Sequence, residues 1–282
     1  MSRLATYVAR TLVGDMVMRK SLVLAAVLAF TGSAYAADLP SKAPSMVAPA
    51  APSWTGWYVG VNGGGVWGRT SPGLAVNNIN FFNPVNIPAV IQNASGTIDN
   101  SGGLAGGQIG YLLQSGQVVF GVEAGFDWMD ARGSRTAGAL YIAANPNPGY
   151  TINQSVSSEW LLTLLGRVGV DMGAWYPYIT GGIAVADLKY NWNYTDTFWG
   201  AGCACAASFS KTVLGGVGGV GVEWRWDSHW SLRGEYLLMY FDSVTGTSHV
   251  GNPTFGTLAI YAHQAQFQEN IGRLALSYKF GP

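Results

Sequence analysis

The side chains best able to do chemistry in this chain are three histidines and two cysteines. His249 and His263 share one polar connector and could hold a metal ion or haem if that connector folded back; His229 stands apart at a turn. Two histidines make a thin ligand set, since zinc sites use three or four protein donors. Solvated loop histidines are the simpler reading. Cys203 and Cys205 form a Cys-Ala-Cys. Zinc motifs leave two or more residues between paired cysteines and add a second pair, and a bridge across one residue would close a strained ring. In an exported chain these thiols are expected to be oxidised or unpaired. No Ser-His-Asp pattern, phosphate loop or metal-binding helix is visible. The runs GGLAGGQIG at 102–110 and GGVGGVG at 215–221 look superficially like dinucleotide loops but lack the strand-turn-helix setting that mechanism requires. Glycine there relieves crowding or lets neighbouring rings cover backbone. No catalytic residue, metal ligand or cofactor is assigned, and the expectation is a protein that is not an enzyme.

A second set of reactive groups is charged. Glu123, Asp127, Asp171, Glu223, Glu235 and Glu269, with Arg167, Arg225, Arg233, Arg273 and Lys279, fall inside stretches that otherwise alternate apolar and small residues. The alternation identifies the elements that must position them. From Arg273 to Phe280, Arg273, Ala275, Ser277 and Lys279 point one way and Leu274, Leu276, Tyr278 and Phe280 the other, because strand side chains alternate faces at period two. Strands are read near 56–68, 101–114, 117–128, 158–172, 177–191, 210–226, 229–243 and 265–280. Tight connectors at Ser115-Gly116, Gly173 to Tyr176 and Asp227-Ser228 alternate with long ones at 69–100, 129–157, 192–209 and 244–264. That asymmetry is the one shown by outer-membrane barrels, with short periplasmic turns and long extracellular loops. The fold expected is all-β: a transmembrane antiparallel up-and-down β-barrel of eight strands.

Alternation alone does not say which face looks out; size decides. Trp57, Val59, Val61 and Trp67, Phe120, Val122, Phe126 and Trp128, Trp160, Leu162, Leu164, Val168 and Val170, and Trp230, Leu232, Tyr236, Leu238 and Tyr240 share the apolar face. They would overfill an eight-stranded bore, which is just wide enough for ordinary side chains. A soluble exterior would also be richer in Lys and Glu. The bulky face therefore meets lipid. Trp57, Trp175, Tyr176, Trp224, Trp226, Trp230, Tyr278 and Phe280 are expected to form one interfacial belt, and Trp67, Trp128, Trp160, Trp192, Tyr194, Tyr240 and Phe241 the other. The charged residues fall mostly on the lumen parity with nearly balanced signs. They are expected to form an internal ion-pair network, with Arg167, Arg233 and Arg273 as bridges; unpaired, each ion would cost several kcal/mol. A salt-bridge plug is favoured over an ion or proton pathway because so narrow a bore leaves little room for water. Asp187 and Lys189 break parity, either by lying beyond the hydrocarbon edge or through a bulge.

Composition agrees. Charged residues make up 11% of the 282, glycine numbers 39 and tryptophan 11, whereas soluble proteins carry roughly 25% charge. Formal net charge is zero, so nothing points to nucleic acid. Met18 to Ala36 has a basic start at Arg19 and Lys20, a short apolar core and an Ala-Tyr-Ala end, the pattern of a cleaved secretory signal. Expected domains are a signal peptide at 1–36 with a better start at Met18, a Pro/Ala-rich periplasmic linker at 37–54, and a barrel at 55–282.

The start ADLPSKAP, the run WTGWYVGVNGGGVWG at 54–68 and the close GRLALSYKF at 272–280 together resemble the alphaproteobacterial outer-membrane immunogenic proteins, small porin-family barrels of the OmpA-like type. The resemblance spans essentially the whole chain. It implies residence in the Gram-negative outer membrane and insertion by the barrel assembly machinery, with Phe280 matching the family's carboxy-terminal assembly aromatic. Gly281 and Pro282 follow it, a departure from a strictly terminal signal. Partners expected are outer-membrane lipids, lipopolysaccharide, the assembly machinery and extracellular surface ligands. Two functions compete: an inert anchor whose loops interact at the cell surface, and a narrow channel for ions or small solutes. A lipid-hydrolysing enzyme is a third, resting on His249 or His263.

Overall fold

The computed structural model describes residues 53–142, 148–197, 203–252 and 256–281. The expected signal peptide, nearly all of the linker and Pro282 lie outside the described residues. The strands are β1 (Gly56–Asn78), β2 (Ile98–Ser115), β3 (Val118–Leu140), β4 (Gly149–Val170), β5 (Trp175–Asp196), β6 (Cys203–Arg225), β7 (Trp230–Phe241), β8 (Val244–Asn252) and β9 (Gly256–Lys279), with one helix, α1 (Ile87–Ala94). Each strand from β1 to β6 pairs antiparallel with the next, β7 pairs with β9, and β9 closes on β1. β7 pairs with Gln268–Tyr278 of β9 and β8 with Gly256–Ala265. β7 and β8 are thus one stave interrupted at Asp242–Ser243, and the barrel has eight staves.

The short turns are local chemistry. Gly116 and Gly173 take positive φ at the first two, a conformation costly for a residue with a Cβ. At the third, the Asp227 carboxylate accepts from the backbone N–H groups of His229 and Trp230, both at 2.7 Å.

The strands run much further than the alternation suggested. On β1, Trp57 to Trp67 carries the outward apolar residues; Val118 to Trp128, Trp160 to Val170 and Trp230 to Tyr240 do so on β3, β4 and β7. Each stretch is eleven residues long, the length a tilted strand needs to cross the hydrocarbon core. Beyond it the strands of the barrel continue with reversed sidedness, β8 taking over from β7. Outward residues become Ser71, Ser134, Asn153, Asn193, Ser208 and Gln266, while inward ones become Ile152, Trp192, Tyr194, Tyr261 and Phe267. The membrane half is apolar outside and charged inside; the outer half is built like a soluble barrel. Each half obeys the same rule in a different solvent.

Several expectations change accordingly. The connectors at 129–157, 192–209 and 244–264 are largely strand, whereas 69–100 keeps residues 79–97 outside the strands, including α1, whose C-terminal end bonds the inward-facing Gln154 and Arg135. Trp192, Tyr194 and Phe241 point inward above the membrane and Tyr176 points into the lumen, so none belongs to an interfacial belt. Asp187 and Lys189 lie outward beyond the hydrocarbon edge, where Lys189 Nζ meets Glu159 Oε1 at 2.6 Å. The pairing shifts are on neighbouring β3 and β4, between Trp128 and Ala131 and between Ser158 and Leu161. The β4 bulge exchanges the parity that looks outward, so Trp160 and Leu162 face lipid while Asn153 and Ser155 above it also face out.

Candidate functional site in the lumen

Three layers fill the barrel axis, beginning at the periplasmic mouth. Trp54 is 2% exposed. Its backbone N–H donates to Gln114 Oε1 at 2.8 Å, and its indole Nε1 donates to Asp171 Oδ1 at 2.9 Å. Gln114 Nε2 donates to the other Asp171 oxygen at 2.7 Å. The Arg225 guanidinium lies 4.5 Å above the Trp54 ring, Tyr176 packs beside it at 5.3 Å, and Lys279 donates to the Ser53 carbonyl. Asp171, Arg225 and Lys279 therefore grip the chain entering β1 at the mouth rather than joining the central charges. The sequence reading placed Trp54 in the linker; Asp171 on the same lumen face as Gln114 was the available signal for its socket.

The middle layer centres on Glu123 of β3. Its carboxylate accepts from Tyr58 Oη at 2.8 Å, from Arg233 Nη1 and Nη2 at 2.7 and 3.2 Å, from Arg273 Nη2 at 3.3 Å, and from Arg167. Arg273 continues the chain, donating through Nε to Glu235 Oε2 at 2.7 Å and through Nη1 to Asp127 Oδ2 at 3.2 Å. Tyr178 Oη donates to Glu235 Oε1 at 2.8 Å. Glu223 accepts from Ser231, with Arg167 Nη1 3.7 Å away. Arg167 also lies over the Tyr178 ring at 5.0 Å. Seven strands supply these groups, all but β2 and β8, because every second residue of a barrel strand enters the bore. Glycine makes room at two points: a Cβ on Gly110 would stand 2.3 Å from Tyr58 Oη, and one on Gly221 2.4 Å from Tyr178 Oη. Only a residue without a side chain lets those phenols lie across the wall to reach their carboxylates. Glu269 sits apart from this group, higher in the bore, accepting from Asn100 Nδ2 at 2.7 Å.

The outer layer is aromatic. Tyr141 and Tyr194 hydrogen-bond each other and Asp196, with Phe82 edge-on to Tyr194 at 6.1 Å. Val90 and Ala94 of α1 are buried against this cluster, and Gln154 Nε2 caps the helix at Ala94 O, 2.8 Å away. Burial pushes the Tyr190 phenol up to about 12.

The histidines and cysteines do not converge. His249 is exposed on the outward face of β8, whereas His263 of β9 is buried, so the expectation of two solvated loop histidines fails for His263. His263 Nε2 shares a 2.8 Å hydrogen bond with Ser248 Oγ and packs 5.0 Å from Trp192. Burial pushes its pKa down to about 4, so the ring is neutral near pH 7. Its Nδ1 has no hydrogen-bond partner, so no carboxylate orients it as a base. Cys205 Sγ donates to His249 O at 3.2 Å; the Cys203 side chain lies outside the described residues. His229 stacks on Tyr278 at 5.4 Å beside the third turn. Among the described residues no group of three or more His, Cys, Asp or Glu could hold a metal ion. Phe280 is half-exposed, its ring edge-on to Tyr278 at 5.2 Å.

Comparison with known proteins places this architecture. A family model described as "Outer membrane protein beta-barrel domain" matches residues 22–280. The 31 kDa outer-membrane immunogenic protein of Brucella melitensis is 33% identical over 228 residues, covering 77% of this chain and 85% of that protein. The 22 kDa outer membrane protein of Rhizobium leguminosarum bv. viciae is 27% identical over 177 residues, covering 62% and 66%. The crystal structure of OprG from Pseudomonas aeruginosa aligns over 81% of this chain and 97% of its own at 14% identity, with a TM-score of 0.38. With a closed eight-stave barrel, a lipid-facing band and a family match across nearly its whole length, the chain belongs to the outer-membrane protein β-barrel domain family and resides in the outer membrane.

Proposed function

We propose that this barrel is a closed outer-membrane anchor that holds a tall, outward-projecting β-structure at the cell surface. The observation that carries the reading is the stack of three layers on one axis. Trp54 occupies the floor, Glu123 and its three arginines fill the middle, and the Tyr141–Tyr194–Asp196 group together with the buried side of α1 fills the top. Side chains that hydrogen-bond across the bore exclude a continuous water column. The surface ligands of such an anchor would meet its crown, and Phe280 would serve recognition by the assembly machinery.

A narrow channel is the second reading. It is favoured by buried polar atoms without protein partners among the described residues, including Asp127 Oδ1, Arg167 Nε and Arg233 Nε. Such atoms usually hold water, and linked waters would conduct protons or small ions. Single-channel recording in planar bilayers separates the two. The anchor reading expects silence from the wild-type chain. Steps abolished by Arg233→Ala or Glu235→Ala would replace it with the channel.

A further inference from the structure

The bore above its floor carries more acid than base. In the hub Glu123, Asp127, Glu223 and Glu235 face Arg167, Arg233 and Arg273, four carboxylates to three guanidiniums. Glu269 adds one more carboxylate higher up. It is 4% exposed, and no Lys, Arg or His of the described residues pairs with it. The cations on either side along the bore are committed elsewhere. Arg273, four residues along β9, turns to the hub, and Arg135 of β3 donates to the Asn93 carbonyl of α1. The floor has one cation in excess, Arg225 and Lys279 against Asp171, but it lies at the periplasmic end beyond the hub.

The neighbours of Glu269 fall into two kinds. Met239 is its partner on β7, and Phe267 and Ile271 are the adjacent inward residues of β9, all buried. Toward β1 and β2 the side chains carry oxygen. Gly68 pairs with both Glu269 and Asn100, and a Cβ there would stand 2.3 Å from Glu269 Oε2. Glycine thus lets the carboxylate lie across β1 and reach Asn100 Nδ2 at 2.7 Å. Thr70 is the next inward residue of β1. Glu269 Oε2, Asn100 Oδ1 and Thr70 Oγ1 have no hydrogen-bond partner among the described residues, and Asn100 and Thr70 are 7% and 0% exposed. Carboxylate and amide oxygens accept and do not donate, so these three oxygens have one hydrogen among them, that of the Thr70 hydroxyl. A proton on Glu269 would quench its charge but saturate at most one of the others.

We infer that Glu269, Asn100 and Thr70 form a site for a monovalent alkali-metal cation at the top of the charged layer. Hard cations take oxygen ligands, and calcium sites gather several carboxylates; one carboxylate among neutral oxygens matches a single positive charge. The ion offsets a buried negative charge that is costly without a partner. Entry is possible beside the site. β2 ends at Ile98, the next inward residue beyond Asn100, and past it residues 79–97 stand between β1 and β3 in place of a ladder. The inference goes beyond the anchor reading and holds whether or not the lumen conducts.

The test is urea unfolding of the full chain in phosphatidylcholine vesicles, in sodium, potassium or choline chloride at equal ionic strength. A ligand held by the folded state alone, at about ten times its Kd, lowers the unfolding equilibrium constant about tenfold. A change of that size is expected when sodium or potassium replaces choline. Glu269→Gln should unfold alike in all three salts. Asn100→Ala, which keeps the carboxylate, should need more alkali ion for the same change. If Glu269→Gln fails to insert, Asn100→Ala and Thr70→Val decide, and a dose response identical to wild type in both would overturn the inference. Wild-type unfolding indifferent to the cation would overturn it too, leaving water to satisfy the three oxygens. So would the same alkali response in Glu269→Gln, a response to calcium alone, or a Glu269-dependent stability that follows pH and not the alkali ion, which would make the occupant a proton. Planar-bilayer conductance of the same samples reports on the anchor reading separately.

Discussion

Glu123→Gln is the sharpest perturbation of the lumen. The substitution preserves size and removes one charge. Arg233 is fully buried, and Glu123 is the one carboxylate within ion-pair distance of it among the described residues. Arg273 is different: it also reaches Asp127 and Glu235. Arg167 keeps Glu223 nearby. The cost of Glu123→Gln is thus dominated by stranding the Arg233 guanidinium, and removing one member of a buried pair costs about 3–5 kcal/mol. Asp127→Asn leaves Arg273 two carboxylates and should cost about 1.5–3 kcal/mol, the scale of one hydrogen bond to a charged group. Urea unfolding in lipid vesicles, followed by tryptophan fluorescence and gel shift, measures both. Glu123→Gln combined with Arg233→Met should regain much of the loss, because replacing both partners removes the stranded ion. If Glu123→Gln lies within ~1 kcal/mol of wild type, or the double variant is no better than the single one, the hub does not hold the barrel as described.

Three further outcomes follow from the geometry. Leu276→Arg points into mid-bilayer and should cost ~2–4 kcal/mol, whereas Ser277→Ala, facing the lumen, should shift unfolding little; the reverse order would invert the assigned parity. Trp54→Ala should cost about 3–5 kcal/mol, as for other large buried aromatics, and admit a small thiol reagent from the turn side to a cysteine placed at Leu112; equal labelling with and without Trp54 would mean it seals nothing. His263 is held neutral down to about pH 4, while the unfolded chain protonates it near 6.5. The unfolded state therefore binds the extra proton between these values, so His263 has no stability penalty above pH 6.5 and imposes one as pH falls toward 4. The penalty amounts to about 3 kcal/mol. Unfolding curves of wild type and His263→Gln should diverge in slope across that window and run parallel above it.

The membrane half was legible because lipid imposes a strict period-two signal on strands such as Arg273 to Phe280. The outer half was not, because its outward face trades apolar residues for serine and asparagine, which read as loop. Ser71–Asn78 looks like a connector because of Pro72 and Gly73, yet beyond Thr70 β1 pairs only with β9. A strand with one free edge tolerates proline. Pro177 has the same excuse: it pairs with Val222 of β6, and the β4 ladder starts only at Tyr178. Helix α1 was hidden by its eight residues, although Pro88 in its first turn and Val90, Ile91 and Ala94 on one side were a usable pattern. The charged lumen residues were found by parity, but their division into a floor at Asp171, Arg225 and Lys279 and a hub at Glu123 depends on strand stagger, which one sequence does not encode locally. The burial of His263 was missed for the same reason as the outer strands: its neighbours Gln264 and Gln266 look solvated because they are the ones facing out.

The central claim is that sidedness reverses at the hydrocarbon edge, and spin labels along β4 test it most directly. On a chain with both cysteines replaced by serine, labels at Leu162, Leu164 and Val168 should collide with oxygen dissolved in lipid. Labels at Asn153 and Ser155, beyond the bulge, should collide with a water-soluble nickel chelate. Oxygen access at Asn153 and Ser155 equal to that at Leu164, or lipid access at Leu161 and Leu165, would contradict the account.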